Sequence, residues 1–319
     1  MYHPELVPKT VCSKCRRRRN KSSMMIFLNS DGVKKMLYEN RTYDEERALY
    51  GIHDAEIKNC RFTGPADGES FLKETQRINV ENCFMDLRYP LWHVTDGKLR
   101  SCEMTENCRA ALWYDKNIEI TDCKMMGIKA LRECENVSLK NVVANSPEFI
   151  WKVQGINIED CEILGSEYPF FEVTNGKIKN LKMKGKYSFQ YCSDFELNNC
   201  SFDTKDAFWH SKNFVIRNSV IKGEYLAWYS ENLTFVNCKI IGTQPFCYCK
   251  NLLLENCTFE GCDLAFENTT VYAEINGKID SVKNPISGEI HAEKIGEIVL
   301  NAERNPVTEC KIFENGVLM

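Results

Sequence analysis

A chain of 319 residues, 43% hydrophobic and 27% charged, has the composition of a folded protein, which excludes a disordered tail or linker. Its 41 basic and 45 acidic residues leave a formal charge of -4, so no net field favours nucleic acid or an anionic membrane as partner. No apolar run approaches the roughly 18 residues that span a bilayer, and the start of the chain lacks the basic, apolar, small-residue order of a signal peptide, so the expected compartment is the cytoplasm.

Residues 1–36 fit no repeat and are expected to form a flexible N-terminal extension. Cys12 and Cys15 stand two residues apart and are followed by Arg16 to Arg19 and Lys21. A zinc site needs a second ligand pair, and none follows at a usable distance, so no metal and no cofactor is predicted. The basic run is expected to be a solvated tail, the alternatives being nucleic-acid binding or a localisation tag.

From residue 37 to the end the chain is dominated by a repeat. A small residue, usually cysteine and usually preceded by Asn or Asp, recurs at 60, 83, 102, 123, 142, 161, 181, 200, 219, 238 and 257, in steps of 23, 19, 21, 19, 19, 20, 19, 19, 19 and 19 residues. So constant a period is the signature of a solenoid. Apolar side chains stand five and three before the small residue, as in Ile118 and Ile120 or Phe214 and Ile216, and another stands two after it. Spacing of two is strand spacing, and about nineteen residues holding three short strands leave no room for a helix. A second Asn column, with Asn117, Asn136, Asn213, Asn232 and Asn251, precedes the small residue by six positions. Coils stacked about 4.8 Å apart would let each amide bond to the next. The predicted fold is therefore all-β: a single-stranded right-handed parallel β-helix of eleven or more coils with asparagine ladders. Eight of the 17 cysteines fall in the small inward column, and Cys134, Cys192 and Cys249 in a second; buried free thiols suit both.

The longest step, between the first two coils, carries an insertion with Gly64, Asp67, Gly68 and Glu69, expected to be a rim loop or a ligand-positioning loop. The third part of each coil is a five-residue segment, at 89–93, 110–114, 129–133, 148–152, 168–172, 187–191, 206–210, 225–229, 244–248 and 263–267. Strand alternation assigns its first, third and fifth positions to one face and its second and Trp-rich fourth position to the other. The ionisable fifth column cannot be interior, so the Trp column is expected to be packed, with Arg132 and Gln190 as exceptions. On the outward face Tyr89, His93, Tyr114, Lys129, Glu148, Tyr168, Tyr187, Tyr191, Asp206, Tyr225 and Tyr229 are candidate substrate-binding residues. Glu133, Lys152, Glu172 and His210 are candidate acid–base groups. Glu133 and Glu172 lie two coils apart, about 10 Å between backbones, with Lys152 between them. Pairs such as Lys129 beside Glu148 and Glu133 beside Lys152 are equally explained as sheet-surface stabilisation. Past Asn268 the period loosens, although spaced isoleucines still suggest strands that cap the stack.

The strings YDEERALY (43–50), GPADGES (64–70), RYPLWH (88–93), CRAALWY (108–114), KDAFWH (205–210) and GTQP (242–245) resemble the mainly bacterial family called domain of unknown function 3737. The resemblance covers residue 37 onward and implies a pectin-lyase-like right-handed β-helix; the first 36 residues depart from the family pattern. It implies no activity, and the calcium-carboxylate and paired-aspartate motifs of pectate lyases and polygalacturonases are not matched here. Lyase or glycosidase chemistry is therefore open by fold analogy only. Two functions are expected from the outward face: a carbohydrate-active or carbohydrate-binding surface for an oligosaccharide, or a non-catalytic scaffold that docks a protein partner.

Overall fold

The computed structural model describes residues 25–28, 34–64, 68–301 and 308–319. Cys12, Cys15, the basic run and Asp67 thus lie outside the described residues. Among the described residues every regular element is a strand, and the strands form one parallel β-solenoid of about 14 turns.

A typical coil contributes a six-residue strand, such as Lys116–Thr121 or Lys212–Arg217, and a shorter one, such as Lys124–Met125 or Lys182–Lys186. Alternation sets the packing: Ile118 and Ile120 are buried, Glu119 between them is exposed, and Ile120 pairs in register with Leu99 and Leu139. The two Asn columns form ladders at the corners of the coil. Asn136 donates to Asn117 at 3.0 Å and Asn232 to Asn213 at 2.9 Å in one; Asn82 donates to Asn59 at 2.7 Å and Asn256 to Asn237 at 2.6 Å in the other. These residues have φ between 51° and 58°, the left-handed region that Asn tolerates better than most side chains. One residue type thus makes the corner and ties it to the next coil.

Inside, phenylalanines stack coil on coil. Phe189 lies 4.3 Å from Phe170 and 4.8 Å from Phe208, ring centroid to ring centroid. The fifteen cysteines of the described residues are all free; fourteen are buried and Cys310 is half-buried, so both predicted thiol columns are interior. The last turns keep the parallel register through Thr270–Lys283, Ser287–Val299 and Glu309–Glu314. Each end of the stack is met by an antiparallel strand: Met25–Leu28 pairs with the start of Lys34–Glu39, and Val317–Leu318 with the end of Glu309–Glu314. An antiparallel strand breaks the repeating edge that another chain would otherwise extend.

The five-residue segment departs from expectation. It is not an extended strand: its first, third and fifth residues take left-handed backbone, as in Tyr89 (φ 58°), Leu91 (57°) and His93 (58°), and every segment through 244–248 repeats this. Left-handed residues at alternate positions curl the chain, so the period of two no longer sorts the faces. The third position points inward with the second: Leu91, Leu112, Phe170, Phe189 and Phe208 are fully buried. The Trp column, expected inside, lies outside and half-buried, as Trp92, Trp113, Trp151, Trp209 and Trp228 all show.

Candidate functional site

The outward surface of these turns has three parallel tracks, built from the first, fourth and fifth positions. The fourth position forms the floor. Trp92 and Trp113 stack with centroids 5.0 Å apart and planes 2° apart, and Trp209 and Trp228 lie 5.5 Å apart at 4°. Each indole Nε1 donates to the carbonyl of the first position in the next coil: Trp92 to Ala110 (2.6 Å), Trp113 to Lys129 (2.7 Å), Trp151 to Tyr168 (2.6 Å), Trp209 to Tyr225 (2.7 Å) and Trp228 to Gln244 (2.8 Å). This bond explains how Trp is held at the surface: its one polar atom is satisfied by backbone while its faces are covered by neighbours. The two exceptions keep the same logic. Gln190 donates to the Asp206 carbonyl at 3.4 Å, and the Arg132 guanidinium lies 5.3 Å from the Trp113 ring centre and 4.1 Å from that of Trp151.

The fifth position forms one wall. His93 stacks on Tyr114 at 4.9 Å, and Tyr191, His210, Tyr229 and Tyr248 form a continuous stack at 4.9, 5.2 and 4.7 Å. Between the two aromatic runs stand Glu133, Lys152 and Glu172. Lys152 pairs with Glu172 at 3.9 Å, and both are about half exposed, at 52% and 47% of the side chain. Glu133 has no ion-pair or hydrogen-bond partner for its carboxylate among the described residues. The first position forms the other wall. Tyr168 stacks on Tyr187 at 4.7 Å; Lys129 lies 3.6 Å from Glu148, and Glu148 also accepts from Arg132. Tyr89 and Tyr225 meet the edges of Trp92 and Trp228. Asp206 is the outlier: it is buried, and burial raises its carboxyl above the ordinary range.

The structure thus brings fourteen of the fifteen candidate residues onto one surface, on its two walls, and buries Asp206 beside it. It also alters what that surface offers. Within each stack the rings lie face to face, so most π faces are covered and the outward parts are ring edges, hydroxyls and imidazole nitrogens. The candidate acid–base groups sit on an open surface, and among the described residues no group of three or more His, Cys, Asp or Glu is arranged to hold a metal ion. Sequence reasoning missed the Trp floor and its hydrogen bonds. The first-position carbonyl that each indole reaches lies 16 to 18 residues on, within reach only once the segment curls.

Comparison with known proteins adds the following. No curated protein sequence matches the chain. Among solved structures, the surface adhesin PfbA of Streptococcus pneumoniae matches at 9% identity, covering 74% of this chain and 84% of its own, with a TM-score of 0.42. The A-module of the mannuronan C-5 epimerase AlgE4 of Azotobacter vinelandii matches at 9% identity, covering 86% and 87%, with a TM-score of 0.27. A GH87 alpha-1,3-glucanase catalytic domain matches at 10% identity, covering 88% of this chain and 64% of its own, with a TM-score of 0.29. At such identities the likeness concerns the fold alone. The family model described as protein of unknown function (DUF3737) matches residues 36–313, and the chain belongs to that family.

Proposed function

We propose that the protein is a non-catalytic interaction scaffold, and that the occupant its three-track face fits best is a second copy of the same chain. The observation that carries this is self-complementarity. A two-fold axis parallel to the solenoid sets the first position of each coil in one copy opposite the fifth position of the same coil in the other. Lys129 then faces Glu133, Glu148 faces Lys152, Tyr168 faces Glu172, Tyr187 faces Tyr191, and Tyr225 faces Tyr229. Each contact occurs twice, and the pairs bring opposite charges, a hydroxyl with a carboxylate, or two tyrosines together.

The size fits as well. Ten segments at about 4.8 Å give a strip about 45 Å long and at most about 16 Å wide, roughly 700 Å2 per copy. A standard interface takes about 800 Å2 from each partner. Stacked tyrosines are already ordered, so docking costs little side-chain entropy. Tyr114, Tyr168, Tyr191 and Tyr229 are between 37% and 51% exposed, and covering them is the gain. Catalysis has weaker support: Lys152 and Glu172 stand in open water, without the enclosed, low-dielectric setting that makes acid–base groups effective. A sugar platform on this face has weaker support too, because stacking against a sugar needs a ring face and the stacks expose edges.

Light scattering over a concentration series tests the proposal. The native chain should be a dimer with roughly micromolar affinity. Glu133→Lys sets like charges opposite each other at two places and should give a monomer, while Lys129→Glu combined with Glu133→Lys should restore the dimer. A monomer at every concentration, or a dimer indifferent to Glu133→Lys, would overturn it.

A further inference from the structure

The outer face of the six-residue strands carries a second feature, remote in character from the aromatic tracks. Two contiguous depressions of about 610 and 670 Å3 share Ser138, Asn157, Lys177, Glu196 and Val215, and together run from the coil of Asn117 to that of Asn213. Five steps of about 4.8 Å make a trough about 24 Å long. Each volume lies in the range of small-molecule sites.

The trough coincides with a break in an asparagine ladder. The column reads Asn117, Asn136, Gly155, Asn175, Asp194, Asn213. Asn136 donates to Asn117 and Asn213 donates to Asp194 at 2.8 Å, but Gly155 has no side chain to continue the row. The Asn136 Oδ1 therefore accepts nothing and the Asn175 amide donates to nothing among the described residues, and both border the trough. The side chains of Ser138, Asn157, Lys177 and Glu196 are likewise without hydrogen-bond or ion-pair partners among the described residues. Elsewhere in these columns several steps are joined coil to coil, as where Asn79 donates to Glu56 at 2.6 Å and Asn117 to Asp96 at 2.9 Å. Gly155 keeps the left-handed backbone of the column (φ 79°), so only the side chain is missing, not the corner.

We infer that this trough binds a neutral, polyhydroxylated chain, an oligosaccharide lying along the solenoid axis. A hydroxyl group is donor and acceptor at once, which is what a free Asn136 Oδ1 and a free Asn175 amide on either side of a vacant rung require. Four cations and four carboxylates line the trough, so it has no net charge to select an ionic ligand. No aromatic side chain is exposed in it, so hydrogen bonds carry the affinity. This site is independent of the dimer face in position and in the residues it uses.

Calorimetric titration of the full chain with cellohexaose, maltohexaose and, as the charged comparison, a galacturonic acid hexamer tests it. At least one neutral hexasaccharide should bind. Gly155→Asn rebuilds the ladder across the gap and should weaken binding about tenfold, the loss of roughly two hydrogen bonds, while the melting temperature holds or rises. Asn175→Asp, at an exposed position of left-handed backbone (φ 60°) that Asp also tolerates, removes the amide donor and should weaken binding as well. Tyr229→Ala, on the aromatic face, should leave binding unchanged. No binding of either neutral hexasaccharide, binding of the charged one alone, or native affinity in both trough variants would overturn the inference.

Discussion

Asp115 offers a quantitative test of how the interior is organised. It occupies the inward column that elsewhere holds Cys134, Cys192, Ser211, Ser230, Cys249 and Thr269, and it is fully buried. The thiol and hydroxyl members of the column, which also holds Val94, Val153 and Val173, donate to the carbonyl of a third-position residue one coil earlier, as Cys134 does to Leu112 (3.2 Å) and Thr269 to Phe246 (2.6 Å). Asp115 Oδ1 accepts from the Val94 amide at 2.7 Å, and Oδ2 has no partner. Burial raises its carboxyl well above the usual 3.8, a shift that the Val94 hydrogen bond only partly opposes. Above about pH 3.8 the unfolded chain therefore gives up the Asp115 proton more readily than the folded chain does. The raised value gives stability that is fully present below about pH 3.8 and is lost as pH rises toward the folded value, at about 1.36 kcal/mol per pH unit. Asp115→Asn removes the titration and keeps an oxygen for Val94. Urea unfolding of both proteins at a series of pH values from 4 upward isolates the effect, because all other titrations cancel in the difference. The variant should gain on the native chain by about that slope. Parallel stability curves would refute a neutral buried carboxyl.

Three further outcomes follow from packing. Gly176 has the Phe195 ring 1.9 Å from where a Cβ would sit, and Phe195 is itself stacked on Phe214 at 4.9 Å, so Gly176→Ala should lower stability by about 1–3 kcal/mol in denaturant titration. Gln190→Trp completes the outer floor between Phe171 and Trp209 and should raise stability by about 1 kcal/mol, read as a higher melting temperature. In a variant lacking Cys12 and Cys15, a thiol reagent should titrate about one group, Cys310, in the native protein and all fifteen after denaturation; burial holds Cys108, Cys247 and Cys262 up at about 12, which keeps them unreactive.

The solenoid was legible because its signal is redundant: a small inward residue, flanking apolar pairs at strand spacing and an Asn corner recur together, and each has a simple steric cause. The five-residue segment was not, because large residues such as Tyr89, Leu91 and His93 carry no mark of a left-handed backbone, and an alternation rule that assumes extended chain then assigns the wrong side. Alternation puts Leu91 outside and Trp92 inside, whereas Leu91 is fully buried and Trp92 lies half-buried at the surface. The candidate residues other than the buried Asp206 still reach one surface, since the first and fifth positions point outward under either geometry. Stacking, by contrast, depends on ring orientation, which residue type alone does not encode. The trough was missed for a related reason: its key element is a missing side chain, Gly155, which in the sequence looks like one more turn glycine.

The measurement that bears most directly on the scaffold proposal is small-angle X-ray scattering of the full chain at concentrations above the dimer threshold. Side-by-side pairing through the aromatic tracks predicts twice the monomer mass and twice its cross-section with nearly unchanged length. Monomer mass, or a dimer of doubled length joined end to end, would contradict it.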